Sequence, residues 1–245
     1  MDKVAKPKEK KRKIMVWLKS KTIATGFLLS VLTPSICFCQ SQRSPVRDSA
    51  RTFSRPVVTW TELKYENVVM QQKDYSCGAA SLATVLKHYW GKDIAEQDVL
   101  LALERSLRPM ALKDRVENGL TMADLKVVSD RMGYDAAVGK LASINKLAES
   151  KIPVILAIKV EGDLSHFVVY RGTANGFIYL ADPVLGNIRV SSCEFDRTWI
   201  NKAVFVVTLP GKTSSAVSGL ALREEEIMQG RLNTQVIRRK LSEVP

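Results

Sequence analysis

Histidine and cysteine are scarce, at two and four residues in a chain of 245. That scarcity excludes a histidine-rich metal centre. Two histidines with one spare cysteine make a poor zinc site, so neither a metal nor another cofactor is expected. Acidic residues are also short, 25 Asp and Glu against 37 Lys and Arg, for a formal net charge of +12. Taken alone, that excess suggests a nucleic-acid or membrane-surface binder. Long hydrophobic runs are missing. The apolar stretch 23–32 falls short of the roughly 20 residues that a spanning helix needs, which excludes a multi-span membrane protein. Usage is otherwise ordinary, 46% hydrophobic and 25% charged, which excludes a disordered or collagenous chain.

The excess charge is concentrated at one end. Residues 1–21 hold eight Lys and one Arg against Asp2 and Glu9, and residues 22–42 hold no Asp, Glu, Lys or Arg. A basic segment followed by a short apolar one reads as an export signal. Cys37 and Cys39 are small residues spaced for cleavage before Gln40. The alternative is an uncleaved inner-membrane anchor over residues 22–39. Without residues 1–39 the chain keeps 28 basic and 23 acidic residues, a net of +5. No nucleic-acid partner is then expected, and membrane contact is expected only through an uncleaved N-terminal segment. The expected location is the periplasm. Two cysteines remain, Cys77 and Cys193, which can form one disulfide or leave a reactive thiol.

Residues 40–65 read as a linker or extended arm, 66–210 as the patterned domain, and 211–245 as a charged, partly helical tail that is either poorly packed or a docking helix. Apolar residues at Leu82, Val85, Leu86 and Tyr89 mark one helical face after Cys77, closed near Gly91. A second helix is expected over 95–103. Thr121 and Asp124 form a capping box that opens a third, and 143–150 suits a short fourth. Apolar strand runs follow at 153–160, 166–171, 177–181 and 203–209. Asn175-Gly176 predicts a hairpin between the middle two. Helices followed by an antiparallel sheet predict an α+β fold.

Cys77 stands at the expected start of a helix, where unpaired N–H groups and the macrodipole favour an anion. The small residues Gly78, Ala79 and Ala80 are expected to leave the first turn open to a peptide substrate and to close backbone approach. A cysteine nucleophile needs a base. His88 is eleven residues further along the same helix, about 16 Å away, and is read as an ordinary helix histidine. His166 begins a strand beside a polar loop, where a site can be exposed on a rigid scaffold. If a three- or four-residue loop closes the hairpin, opposed residue numbers sum to 348 or 349. Asp182 then faces His166 or Phe167, and Pro183 leaves it at the strand rim. Asp163 is the second carboxylate candidate. Gln71 and Gln72, six and five residues before Cys77, are candidate donors to an oxyanion.

The runs QQKDYSCGAASLATVLKHYWG, SHFVVYRG and YLADPVLG resemble the bacteriocin-processing cysteine peptidases, peptidase family C39. The resemblance covers about residues 66–210. It implies a papain-like fold, with Cys77 as nucleophile, His166 as general base, Asp182 as its orienter and Gln71 in the oxyanion hole. Ser76 departs from the Asp that many members carry before the cysteine. Many members are also N-terminal domains of export ATPases, whereas this chain has no Walker-type loop, so no ATP-binding domain is expected. The wider match, including DPVLGN and the Phe195–Trp199 segment, resembles peptidase-like proteins of functional-amyloid secretion systems. The implied activity is peptide-bond hydrolysis by an exported enzyme acting on a peptide or protein substrate, in company with secretion-system components. The competing reading is a non-hydrolytic peptide-binding module of such a system.

Overall fold

The computed structural model describes residues 43–47, 52–56, 59–160, 164–212, 214–215 and 218–227. The expected export signal, Asp163 and the last part of the tail lie outside the described residues.

The stretch read as an arm contains structure. Strands β1 (Arg43–Arg47) and β2 (Thr52–Pro56) pair antiparallel as a two-stranded ribbon. Helix α1 (Trp60–Tyr65) follows, opened by a Thr59–Glu62 capping box. The next helices are α2 (Cys77–His88), α3 (Glu96–Glu104), α4 (Pro109–Asn118) and α5 (Met122–Arg131). The Thr121–Asp124 box opens α5 as expected. Strand β3 (Asp135–Lys140), helix α6 (Ile144–Ala148), β4 (Val154–Lys159), β5 (Ser165–Ala174), β6 (Phe177–Asp182) and β7 (Gly186–Ser191) come next. Helix α7 (Ser192–Thr198) and strand β8 (Trp199–Thr208) complete the series. Among the described residues no helix is long and apolar enough to cross a membrane.

The six later strands form one antiparallel sheet in the order β3-β8-β4-β5-β6-β7. The fold is α+β, helices packed on an antiparallel sheet, with one correction to the expected order. β3 sits among the helices in sequence yet pairs with the final strand, β8. Apolar side chains fill both faces of the sheet. Leu82, Val85, Leu86 and Tyr89 bring α2 against Phe167, Val169, Ala181 and Phe205. On the other face, Leu156, Val168, Tyr170 and Leu180 pack with Leu147 of α6 and with Phe195 and Trp199. A fully buried large apolar side chain contributes roughly 1.5–3 kcal/mol, so the first layer holds α2, and the second α6 and α7, firmly on the sheet.

Two buried polar links fix how α2 lies on the sheet. Ser81 Oγ donates to the Phe167 carbonyl at 3.2 Å, and Trp90 Nε1 donates to the Val207 carbonyl at 3.0 Å. Gly78, Ala79 and Ala80 are buried. A Cβ at Gly78 would stand 3.1 Å from Phe167 Cδ2 and 3.3 Å from Leu125 Cδ2. The close approach expected of these small residues is present, but it serves packing: the turn is buried rather than open. The small residues let α2 pack closely on β5 and α5.

The tail is also packed where it is described. Leu220 is buried in the core beside α2. Gly219 N donates to the His88 carbonyl, and Asn67 Nδ2 donates to the Gly219 carbonyl, both at 2.9 Å. Residues 218–227 form a strap rather than a loose appendage.

Candidate active site

Helix α2 begins at Cys77, and its N-cap Ser76 makes no side-chain capping bond. The Ser76 hydroxyl instead donates to the Lys73 carbonyl at 2.7 Å. The helix's first N–H groups are therefore not capped by the serine, and their dipoles converge where the thiol sits. Cys77 and Cys193 are both free, Cys77 buried and Cys193 exposed on α7. The disulfide alternative is thereby removed.

His166 is the second residue of β5, and Asp182 is the last of β6. His166 Nε2 and Asp182 Oδ1 are 3.0 Å apart. The Cys77 thiol is the other side-chain partner of the imidazole. With Nε2 taken by Asp182, Nδ1 is the ring nitrogen left for Cys77. Cys77, more than eighty residues before the other two in sequence, thus meets them where the start of α2 reaches one end of the β5–β6 hairpin.

The expected hairpin register was wrong, although the contact it was built to explain is present. Asn175 (φ 53°) and Gly176 (φ 80°) make a two-residue turn, not a three- or four-residue loop. Two successive left-handed residues suit the right-handed twist of the flanking strands. Pairs next to the turn, such as Ala174 with Phe177, sum to 351. A bulge at Arg171 then shifts the register, and Val169 pairs with Ala181, summing to 350. Continuing that register puts Asp182 across from Val168. Its carboxylate reaches diagonally to His166, two residues along the same face, a spacing that polar side chains span.

The Asp182 carboxylate is held by its own turn as well. Oδ1 accepts from Val184 N at 2.7 Å and Leu185 N at 3.1 Å. Its side chain is 3% exposed, and that of His166 is 12% exposed. Burial alone would push the carboxyl up. The hydrogen bond and charge of His166, with the two backbone donors, outweigh it and hold Asp182 below its usual range. The imidazole shows the mirror balance. Burial is the largest influence and depresses it, but the hydrogen bonds and charges of Asp182 and Cys77 together push it up to about 9. Opposed shifts of this kind make the two groups candidates for acid–base chemistry.

The two glutamines separate. Gln72 is exposed. Its N–H donates to the Glu96 carboxylate at 3.0 Å, and its amide oxygen accepts from Gln97 at 3.2 Å. Gln71 is half-buried, and its backbone N–H donates to the Pro183 carbonyl at 2.9 Å. That bond ties the segment before Cys77 to the turn that holds Asp182. Among the described residues the Gln71 Oε1 is buried without a hydrogen-bond partner.

His88 ends α2, half-buried and depressed by burial and by Lys87, with no part in this cluster. Sequence reading missed Ser81 and Glu96. Ser81 lies one turn beyond Cys77 and bolts α2 to the residue after His166. Glu96, 2% exposed, clasps the backbone beside Gln71. A serine inside an otherwise apolar helical face was the available signal for the first. For Glu96 there was none, because its partner is a main-chain N–H.

A family model for the Peptidase C39 family matches residues 65–210. The chain belongs to that family of cysteine peptidases. A probable functional amyloid protease of Pseudomonas aeruginosa, FapD, is 34% identical over 146 residues, covering 60% of this chain and 62% of the relative. The lactococcin-G-processing and transport ATP-binding protein LagD of Lactococcus lactis is 28% identical over 141 residues, 57% of this chain and 18% of that one. The chain thus matches less than two thirds of the length of either relative. Among solved structures, the peptidase domain of Streptococcus ComA aligns with a TM-score of 0.49 at 20% identity, covering 59% of this chain and 98% of that one.

Proposed function

We propose that this C39 family member hydrolyses peptide bonds through a Cys77–His166–Asp182 triad, with Gln71 and the Cys77 backbone N–H stabilising the oxyanion. The observation that carries the reading is the His166 imidazole hydrogen-bonded to Asp182 at 3.0 Å, with Cys77 close enough to help push it up to about 9. His166 takes the thiol proton, and the thiolate attacks the substrate carbonyl. The tetrahedral oxyanion is held by the Gln71 amide and the N–H at the start of α2. His166 returns the proton to the leaving amine, and water, deprotonated by the same imidazole, releases the acyl group. Asp182 keeps the ring in one orientation and stabilises its charge.

The substrate is a peptide or protein exported by a secretion system, and the enzyme acts on it in the periplasm. Support comes from the basic segment at residues 1–21 and from the similarity to a relative named as a probable functional amyloid protease. A direct test is digestion of a mixed peptide pool followed by mass spectrometry. New termini are expected that iodoacetamide suppresses and chelators do not. Cleavage indifferent to iodoacetamide contradicts the thiol mechanism.

Asp182→Asn offers a sharper check. In the wild type the imidazolium is lost as pH rises through about 9, so kcat/KM falls there. The imidazolium's contribution to stability is complete below the ordinary 6.5 and disappears over the same rise. Asparagine keeps an acceptor for His166 and for the Val184 and Leu185 N–H groups but removes the charge. The alkaline limb is expected to move down by about one unit or more, with activity near neutrality falling roughly 10- to 100-fold. An unmoved limb contradicts the assigned role of Asp182.

A further inference from the structure

The bulge in β5 has a consequence for the site. Along β5, His166, Val168 and Tyr170 share a face, and along β6 Ile178, Leu180 and Asp182 share one; Val168, Tyr170, Ile178 and Leu180 all pack in the same core layer. Beyond the bulge the phase is reversed. Thr173 pairs with Ile178, and the Tyr170 hydroxyl meets Thr173 Oγ1 at 2.9 Å, although these residues are three apart. If the register set by the turn ran on unbroken, Asp182 would stand across from Val169, which faces α2. One slipped residue exchanges the faces of a strand. His166 and Asp182 would then point to opposite sides of the sheet.

The extra residue at the bulge is Arg171, and its side chain is only 4% exposed. It donates to the Leu220 carbonyl at 3.1 Å, the Ala221 carbonyl at 3.3 Å, Asn187 Oδ1 at 2.8 Å and the Glu226 carboxylate at 3.0 Å. The ring of contacts closes on itself. Asn187 Nδ2 donates to the Leu63 and Glu66 carbonyls, Arg223 binds the Glu66 carboxylate, and Arg223 also reaches Glu226. Gly172 supplies the rest of the clamp. A Cβ there would come within 2.7 Å of Leu222 Cδ1, so the strap lies directly on the bulge. A planar guanidinium with donors aimed at two carbonyls, an amide and a carboxylate fixes a backbone far better than a flexible ammonium does. All of the strap lies beyond residue 210, where the family match ends.

We propose that Arg171 is a positioning residue: clamped by the 218–227 strap, it maintains the β-bulge that puts His166 and Asp182 on one face of their hairpin. The proposal rests on the reading of Cys77, His166 and Asp182 as the catalytic unit, and its test separates the two. The measurement is the rate of Cys77 alkylation by iodoacetamide against pH, in the full chain carrying Cys37→Ser, Cys39→Ser and Cys193→Ser so that Cys77 alone reports. The wild-type profile is expected to inflect near pH 9, where the partner imidazolium is lost. Arg171→Ala is expected to move that inflection down by a unit or more and to slow alkylation at pH 7 roughly 10-fold, because an imidazole parted from Asp182 holds its proton less well and activates the thiol less. Arg171→Lys is expected to rescue only part of the shift, and Glu226→Ala to cause a smaller shift of the same sign. An Arg171→Ala protein that melts earlier but keeps the wild-type profile shows a merely structural residue and overturns the proposal. Should Arg171→Ala fail to fold, Glu226→Ala decides, and an unmoved inflection there overturns it. A wild-type profile with no inflection near pH 9 overturns the catalytic reading and this proposal together.

Discussion

Cys77→Ala is expected to lower peptide hydrolysis by about 10⁴-fold or more while leaving the fold in place. The loss is large because no other group at the site supplies a nucleophile. Cys193, the other free thiol in the described residues, is exposed on α7 and belongs to no part of the cluster. The fold survives because the substitution removes one buried sulfur at the first position of α2, where alanine is the best helix former. What the alanine gives up is chiefly the thiol's interaction with the His166 imidazole. A thermal midpoint within about 4 °C of wild type, with unchanged far-ultraviolet dichroism, checks the second half of the expectation. A Cys77→Ala protein that still cleaves at the wild-type rate contradicts the mechanism outright.

His166→Ala is expected to cost about as much in turnover, at least about 10³-fold, and to differ from Cys77→Ala in stability. Truncating the ring leaves the Asp182 carboxylate, 3% exposed, with only the Val184 and Leu185 N–H groups. Losing a charged hydrogen-bond partner at such a site costs about 1–3 kcal/mol, measurable as a lower denaturant midpoint. The depressed carboxyl also changes the acid limb of stability. In the wild type, the contribution of Asp182 is present above the ordinary carboxylate range and lost as pH falls through its lowered value. In His166→Ala that contribution shrinks, so the two proteins should converge in stability at low pH. The double variant Cys77→Ala with His166→Ala is expected to be no slower than either single variant, because nucleophile and base act as one unit.

Much of the site was legible from local signals, and the remainder was lost for nameable reasons. The face of α2, the Thr121–Asp124 box and the Asn175-Gly176 turn each depend on residues within a few positions of one another, so their patterns survive in the sequence. β3 did not show itself because its burial pattern is almost wholly exposed, leaving no alternation to read. α4 buries no residue at all and so has no apolar stripe. The pairing of His166 with Asp182 was reached through an incorrect loop length. The true register depends on a bulge held by Leu220, Ala221 and Glu226, about fifty residues further on. No window around the hairpin contains that information. The strap is illegible for a related reason: its anchors are backbone carbonyls, single ion pairs and the isolated apolar residues Leu220 and Leu222, which leave no periodic trace.

The proposed mechanism has one thiol, activated by one imidazole, attack a peptide carbonyl. The most direct measurement is peptide mapping by mass spectrometry after reaction with an irreversible peptide vinyl sulfone at neutral pH, for the wild type and for His166→Ala. The expected result is a single adduct on Cys77 in the wild type, none on the exposed Cys193, and at least about a hundredfold slower labelling of Cys77 once the imidazole is gone. Labelling confined to Cys193, or equal labelling of Cys77 with and without His166, would contradict it.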